Sequence, residues 1–118
     1  MKYMLLIHQG TTPTPDSDAW AALPDEEKQA VYADYQGINE TEGVEPGRRM
    51  QPPEAATTVR VQDGRALTTD GPFVETKEAL GGYLFLEADD LDAAIEVAAR
   101  IPAARMGGAV EVRPLMEG

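Results

Sequence analysis

Short alternating apolar runs and two longer stretches with helical spacing predict a mixed α and β chain. Residues 2–8 are apolar at both parities, with Tyr3, Leu5 and Ile7 alternating with Met4 and Leu6, so this strand should be covered on both faces. Residues 11–17, with Pro13 and Pro15, read as extended loop, and a short helical turn is expected around Trp20. Pro24 in the first turn, followed by Asp25, Glu26 and Glu27 at the positive end of the dipole, starts a helix. Val31, Tyr35 and Ile38 follow at helical spacing, and Gly43 at the C′ position ends the helix near Glu42. Gly37 inside it costs about 1 kcal/mol relative to alanine. Pro46-Gly47 and Pro52-Pro53 bracket an irregular or short extended stretch, and a short extra strand is a candidate over residues 44–50.

Residues 57–68 predict a hairpin turning at Asp63-Gly64. A two-residue loop would set Leu67 opposite Arg60. A three-residue loop of Gln62, Asp63 and Gly64 pairs Val61 with Arg65 and Val59 with Leu67, which keeps the large apolar residues together, so the bulged turn is expected. Residues 82–87 form another two-sided strand, Leu84 and Leu86 against Tyr83 and Phe85. Asp89 then caps a helix whose apolar stripe is Leu91, Ala94, Ile95, Ala98 and Ala99, with Glu96 and Arg100 paired outside and Pro102 as the stop. Gly107-Gly108 leads into a last strand over residues 109–113.

The order β, α, hairpin, β, α, β implies an α+β fold, a plait with two helices on one face of a mainly antiparallel sheet and an added β-hairpin. Two helices cannot cover both faces, yet two strands are apolar on both. A second copy packing sheet against sheet resolves this, so a homodimer through the sheet face is expected; loops around Trp20 and Pro52 are the plainer alternative cover.

With 118 residues the chain is expected to be one domain, residues 1–118. It has no cysteine, which excludes disulfides, thiolate metal sites and thiol nucleophiles. Lys+Arg 10 against Asp+Glu 21 gives a net charge of -11, which argues against nucleic acid and anionic membrane as partners. The run Met4-Leu5-Leu6-Ile7 is too short for a signal peptide or a membrane span, so a cytoplasmic protein is the expectation.

The segment Thr68-Thr69-Asp70-Gly71-Pro72-Phe73-Val74-Glu75-Thr76-Lys77-Glu78 resembles the signature of YCII-related proteins of the DGPF type. Similar family features are Met1-Lys2-Tyr3-Met4-Leu5-Leu6-Ile7, Gln51-Pro52-Pro53, Leu80-Gly81-Gly82-Tyr83, the Asp90-Leu91-Asp92-Ala93-Ala94-Ile95 helix and Val110-Glu111-Val112-Arg113-Pro114. The resemblance implies a ferredoxin-like plait of the dimeric α+β barrel class in a bacterial, cytoplasmic protein. It brings no established reaction; cofactor-free monooxygenases, muconolactone isomerases and haem peroxidases share the fold. The wider group is associated with a His–Asp pair whose histidine lies on the first helix. Here that helix offers Tyr32, Asp34 and Tyr35, and the only histidine is His8, so that mechanism does not transfer residue by residue.

Asp70 is the first candidate for chemistry, with a carboxylate beside Gly71, which leaves room for a ligand, and Pro72, which stiffens the loop. A plain Asx turn with Phe73 plugged into the core is the competing account. Lys77 could hold an anion and Glu75 or Glu78 move a proton, against a simple solvated turn. His8 is the one side chain that ordinarily titrates near neutrality, and it shares a strand face with Met4 and Leu6. Tyr32 is a candidate phenol donor to a ligand, although aromatic packing is the commoner use. Arg113 is expected to pair with Asp70 or Glu111. The acids lack calcium-loop spacing, and neither Gly81-Gly82 nor Gly107-Gly108 has a nucleotide-loop context, so no metal and no cofactor are expected.

Two functions follow. One is a cofactor-independent enzyme or small-molecule-binding protein, with Asp70 and His8 catalytic and Gly71, Pro72, Phe73, Glu75, Lys77, Glu78 and Tyr32 binding the ligand in a cleft near the DGPF loop. The other is a non-catalytic interaction module, since the resemblance also implies genes often found beside extracytoplasmic-function sigma factors.

Overall fold

In a computed structural model, residues 1–15, 17–71 and 80–117 are described. The elements are β1 (Lys2–His8), α1 (Asp18–Ala21), α2 (Asp25–Asn39), β2 (Val44–Arg49), β3 (Thr57–Gln62), β4 (Arg65–Asp70), β5 (Leu80–Glu87), α3 (Leu91–Ala99) and β6 (Ala109–Pro114). Four strands form one sheet in the order β2-β5-β1-β6, and every neighbouring pair is antiparallel. The two units β1-α2-β2 and β5-α3-β6 therefore interleave, each spanning a strand of the other. This is the ferredoxin-like plait. The candidate strand over residues 44–50 is β2, on the sheet edge.

The two-sided strands divide as their parity requires. Tyr3, Leu5, Ile7, Leu84 and Leu86 face the helices and form the core with Ile38, Ala94, Val97, Ala98 and Ile101. Register carries the pattern across the sheet, with Leu5 opposite both Leu84 and Val112. The other face carries Met4, Leu6, Tyr83 and Phe85, all half-buried. There the Tyr83 and Phe85 rings meet edge to face at 6.0 Å, and the Lys2 ammonium lies 5.7 Å from the Phe85 ring centre.

Local chemistry sets the element ends, with some shifts from expectation. Ser17 caps α1, its Oγ accepting from the Trp20 N–H at 3.1 Å, which folds the turn that buries Trp20. Pro24 occupies the cap position of α2 itself rather than its first turn. That helix ends at Asn39, three residues before Glu42, and Thr41 Oγ1 donates to the Gly37 carbonyl at 2.7 Å. Gly43 instead makes the turn into β2 at φ 89°, where a Cβ would lie 2.4 Å from the Glu87 carbonyl oxygen. Asp90, not Asp89, caps α3, accepting from the Ala93 N–H at 2.8 Å. The buried stripe of α3 is Ala94, Val97 and Ala98, continued by Ile101, while Leu91 and Ile95 are exposed.

The hairpin turn differs from the expected bulged loop. Arg60 pairs with Leu67, Val61 with Ala66 and Gln62 with Arg65, around a two-residue loop. Asp63 at φ 52° and Gly64 at φ 75° both take left-handed backbone, the requirement of a type I′ turn whose twist matches the strands. The bulged loop follows only if the apolar residues share a buried face. They do not, because β3 and β4 form a separate two-stranded sheet in which Val61 is 70 % exposed. The molecule measures 51 × 42 × 18 Å with a radius of gyration of 16.2 Å, above the ~13 Å typical of a compact chain of about 100 residues.

Candidate ligand cavity

The sheet face that builds the core also leaves a gap. Along β5 the helix-facing positions are Leu86, Leu84 and then Gly82, opposite Tyr3, Leu5 and Ile7. Leucine side chains fill the first two places and nothing fills the third. Above it, Tyr35 lies one helical turn after Val31 on α2, with Tyr32 beside it. The result is a cavity of about 310 Å³ bounded by Ile7, Gly82, Leu84, Trp20, Tyr32, Tyr35, Arg48 and Arg49, among others. That volume is at the lower end of small-molecule sites.

Each wall has a local cause. Trp20 is held by the capped α1 turn and meets the Tyr32 ring edge to face at 5.7 Å. A loop bearing Pro13 and Pro15 closes one side; Thr11 N–H donates to the Gly107 carbonyl at 3.1 Å and Gln9 Nε2 to the Thr12 carbonyl at 3.1 Å. Thr12 Oγ1 is buried without a hydrogen-bond partner among the described residues. The β2 edge supplies the arginines. Its pairing with β5 is irregular between Pro46 and Arg49, and Arg49 then pairs with Gly82, on the helix-facing parity. Burial raises the Tyr35 hydroxyl pKa above its usual value against the opposing effect of Arg49, so the phenol is a neutral hydrogen-bond donor at neutral pH. The neighbouring Asp34 adds a smaller raising effect, and Tyr35 is 39 % exposed as a residue. No Asp or Glu is among the described residues that line the cavity.

The candidates from sequence are dispersed. Tyr32 stands in the cavity wall. His8 is on the opposite sheet face, with Nε2 3.3 Å from Glu111 Oε1. Arg113 takes Glu111 as its partner, and its hydrogen bond, with a smaller one from His8, holds the Glu111 carboxyl below the ordinary carboxylate range. Asp70 ends β4 opposite Thr57 and is exposed, outside the cavity wall. Gly71 ties the hairpin base, its N–H donating to the Ala56 carbonyl at 2.7 Å and its carbonyl accepting from Thr58 Oγ1 at 2.8 Å. Pro72, Phe73, Glu75, Lys77 and Glu78 lie outside the described residues. Gly82, Trp20 and Arg49 line the cavity without being site candidates from the sequence. The usable signal was the glycine in line with Leu84 and Leu86, where a third large side chain would complete the core.

Among the described residues, no group of three or more His, Cys, Asp or Glu side chains could hold a metal ion. No helix is long and apolar enough to cross a membrane.

Comparison with known proteins agrees with this architecture. The model of the YCII-related domain matches residues 1–117. An uncharacterised protein of Rhizobium meliloti, R00369, is 34% identical over 120 residues, covering 98% of this chain and 92% of its own. Among solved structures, 5-chloro-2-hydroxyhydroquinone dehydrochlorinase of Burkholderia phenoliruptrix superposes with a TM-score of 0.50 at 16% identity, covering 100% of this chain and 96% of the other. At that identity the likeness is one of fold.

Proposed function

This chain belongs to the YCII-related domain family, and from that premise we propose that it binds a small planar molecule in the cavity beneath α2, as a cofactor-independent enzyme or ligand-binding protein. The observation that carries this is the unfilled core position at Gly82 facing Trp20, Tyr32 and Tyr35. Apolar walls with a few polar groups suit a flat ring, and the neutral Tyr35 hydroxyl offers a donor at its edge. The fold neighbour was solved with 2,5-dihydroxybenzoquinone and is itself a small-molecule enzyme, which supports the same class here. In the chain, the DGPF segment runs directly into Gly81 and Gly82 of the cavity wall, so Asp70 and the residues after it remain candidates to complete the site.

Trp20 is the only tryptophan and is 9 % exposed in the cavity wall, so it reports on occupancy. Titrating hydroxylated aromatic compounds should change its fluorescence saturably. A panel that leaves the emission unchanged while the protein stays folded would favour the interaction-module alternative.

The homodimer is part of the same proposal. Met4, Leu6, Tyr83 and Phe85 form an apolar sheet face that α2 and α3 do not cover, and the projecting hairpin exposes Val59, Val61 and Leu67. A second copy packing sheet to sheet would bury the first set and give the hairpin a surface to lie on. Light scattering at micromolar concentration should give twice 12.7 kDa. A persistent monomer would contradict it.

A further inference from the structure

We infer that Gln9 orients the ligand: its side-chain oxygen accepts a hydrogen bond from a ring hydroxyl, so the cavity selects phenols and seats the hydroxyl beside the end of β1. This rests on the reading of the cavity as a ligand site and adds the group that the ligand must carry and the residue that reads it.

The backbone makes room for this side chain. The register of β1 against β5 shifts between Ile7 and His8: Ile7 faces Gly82 and His8 faces Leu80, which leaves Gly81 as an extra residue on β5. A bulge of this kind bends its strand and re-aims the side chains around it. The Gly81 carbonyl is taken by the Met50 N–H at 2.8 Å. Gln9, the residue after β1, lies against the bulge. A Cβ at Gly81 would stand 2.5 Å from Gln9 Oε1 and 3.4 Å from its Cδ, so the glycine is what lets the amide lie there. Gln9 and Gly81 both belong to the cavity wall, and Gln9 is half-buried.

Hydrogen bonding fixes which end of the amide is offered. The Thr12 N–H donates to the Gln9 carbonyl at 2.9 Å, and Gln9 Nε2 donates back to the Thr12 carbonyl at 3.1 Å, so one turn is closed by backbone and side chain together. Gly10 at φ 54° supplies the left-handed residue within it. A carbonyl can be faced only by the NH2 end of an amide, so the oxygen is the end turned to Gly81. Among the described residues nothing donates to Oε1. The amide is therefore held by its nitrogen and keeps its acceptor unused in a largely apolar wall. A half-buried acceptor is best satisfied by a donor on the ligand. It takes a phenol O–H and gains nothing from an ether or a halogen, which is the kind of contact that rejects an analogue lacking the hydroxyl.

The test compares 4-hydroxyacetophenone with 4-fluoroacetophenone by calorimetry, in a mildly acidic buffer that keeps the phenol neutral. The two are close in size, the ketone can only accept, and the ring hydroxyl is the one donor. The parent should bind the phenol about tenfold more tightly than the fluoro compound. Gln9→Met keeps the length of the side chain, removes the acceptor and should bring the two affinities to within about twofold of each other. Gly81→Ala leaves Gln9 in the chain but sets a Cβ against Oε1, the far end of a flexible side chain that can swing away. The Gly81 backbone is outside the left-handed region, so this variant should fold and lose the same preference. Circular dichroism confirms that each variant is folded. If Gln9 only staples its turn, the preference survives in the folded variants, and that overturns the assignment to Gln9. Equal binding of the two probes by the parent overturns the selection for a hydroxyl and leaves the cavity reading standing. Binding of neither probe by the parent overturns the selection together with the reading beneath it.

Discussion

Leu5→Ala should lower the unfolding free energy by about 2–5 kcal/mol, a large share of the total for a domain of this size. Leu5 is 0 % exposed and lies on β1, which is bonded on both sides to β5 and β6. Its side chain sits between Leu84 and Val112 across the sheet, within the core that includes Ile38 and Ala98. Truncation removes the transfer free energy of the side chain and leaves a hole that a central strand cannot close by moving. Val61→Ala, on the exposed hairpin, is the matched control and should change stability by roughly 0.5 kcal/mol or less. Urea unfolding at one fixed protein concentration measures both, since an oligomer makes the midpoint depend on concentration. Equal losses at the two positions would contradict the placement of the core on the helix face and of the hairpin outside it.

Gly82→Val should abolish ligand binding, with at least a tenfold loss of affinity for any cavity ligand, while the protein keeps or gains thermal stability. A Cβ at this position would meet the Arg48 carbonyl oxygen at 3.4 Å, the Arg49 Cα at 3.7 Å and the Ile7 Cδ1 at 3.9 Å, all tolerable contacts. The backbone of Gly82 is not in the left-handed region, so valine can adopt it. Its two methyl groups then project into the space between Ile7, Leu84 and the tyrosines of α2. Valine also favours a strand over glycine, by an amount on the order of 1 kcal/mol. Calorimetry and a melting curve on the same sample read both effects. A folded Gly82→Val protein with parental affinity would place the ligand somewhere other than this cavity.

The parts of the fold that could be read in the sequence are those whose patterns have one solution. In β1 and β5 the two parities are both apolar, and each parity went to the face that the alternation required. The α3 helix shows where a pattern is ambiguous. Ala94 and Ala98 belong to two adjacent stripes, one with Leu91 and Ile95 and one with Val97 and Ile101, and only packing chooses the second. The hairpin failed for a different reason. Register follows from burial, and a hairpin that stands outside the core leaves turn geometry alone to set it, which Asp63-Gly64 does with two residues. The cavity depends on a pairing 33 residues apart, Arg49 with Gly82, which no local pattern announces. What the DGPF motif marked was the segment leading into this wall; the aromatic and basic residues that shape the wall come from other elements.

The central claim is that the ligand site is the cavity on the helix side of the sheet. Backbone amide shifts recorded during titration with 4-hydroxyacetophenone test it most directly, because they place the ligand residue by residue. The account predicts perturbations that saturate and cluster at Tyr32, Tyr35, Arg49, Gly81 and Gly82, and at the Trp20 indole, with His8 and Glu111 on the far face unmoved. Saturable shifts confined to His8, Glu111 and the Asp70–Gly71 end of the hairpin, with Gly82 and Tyr35 silent, would contradict it.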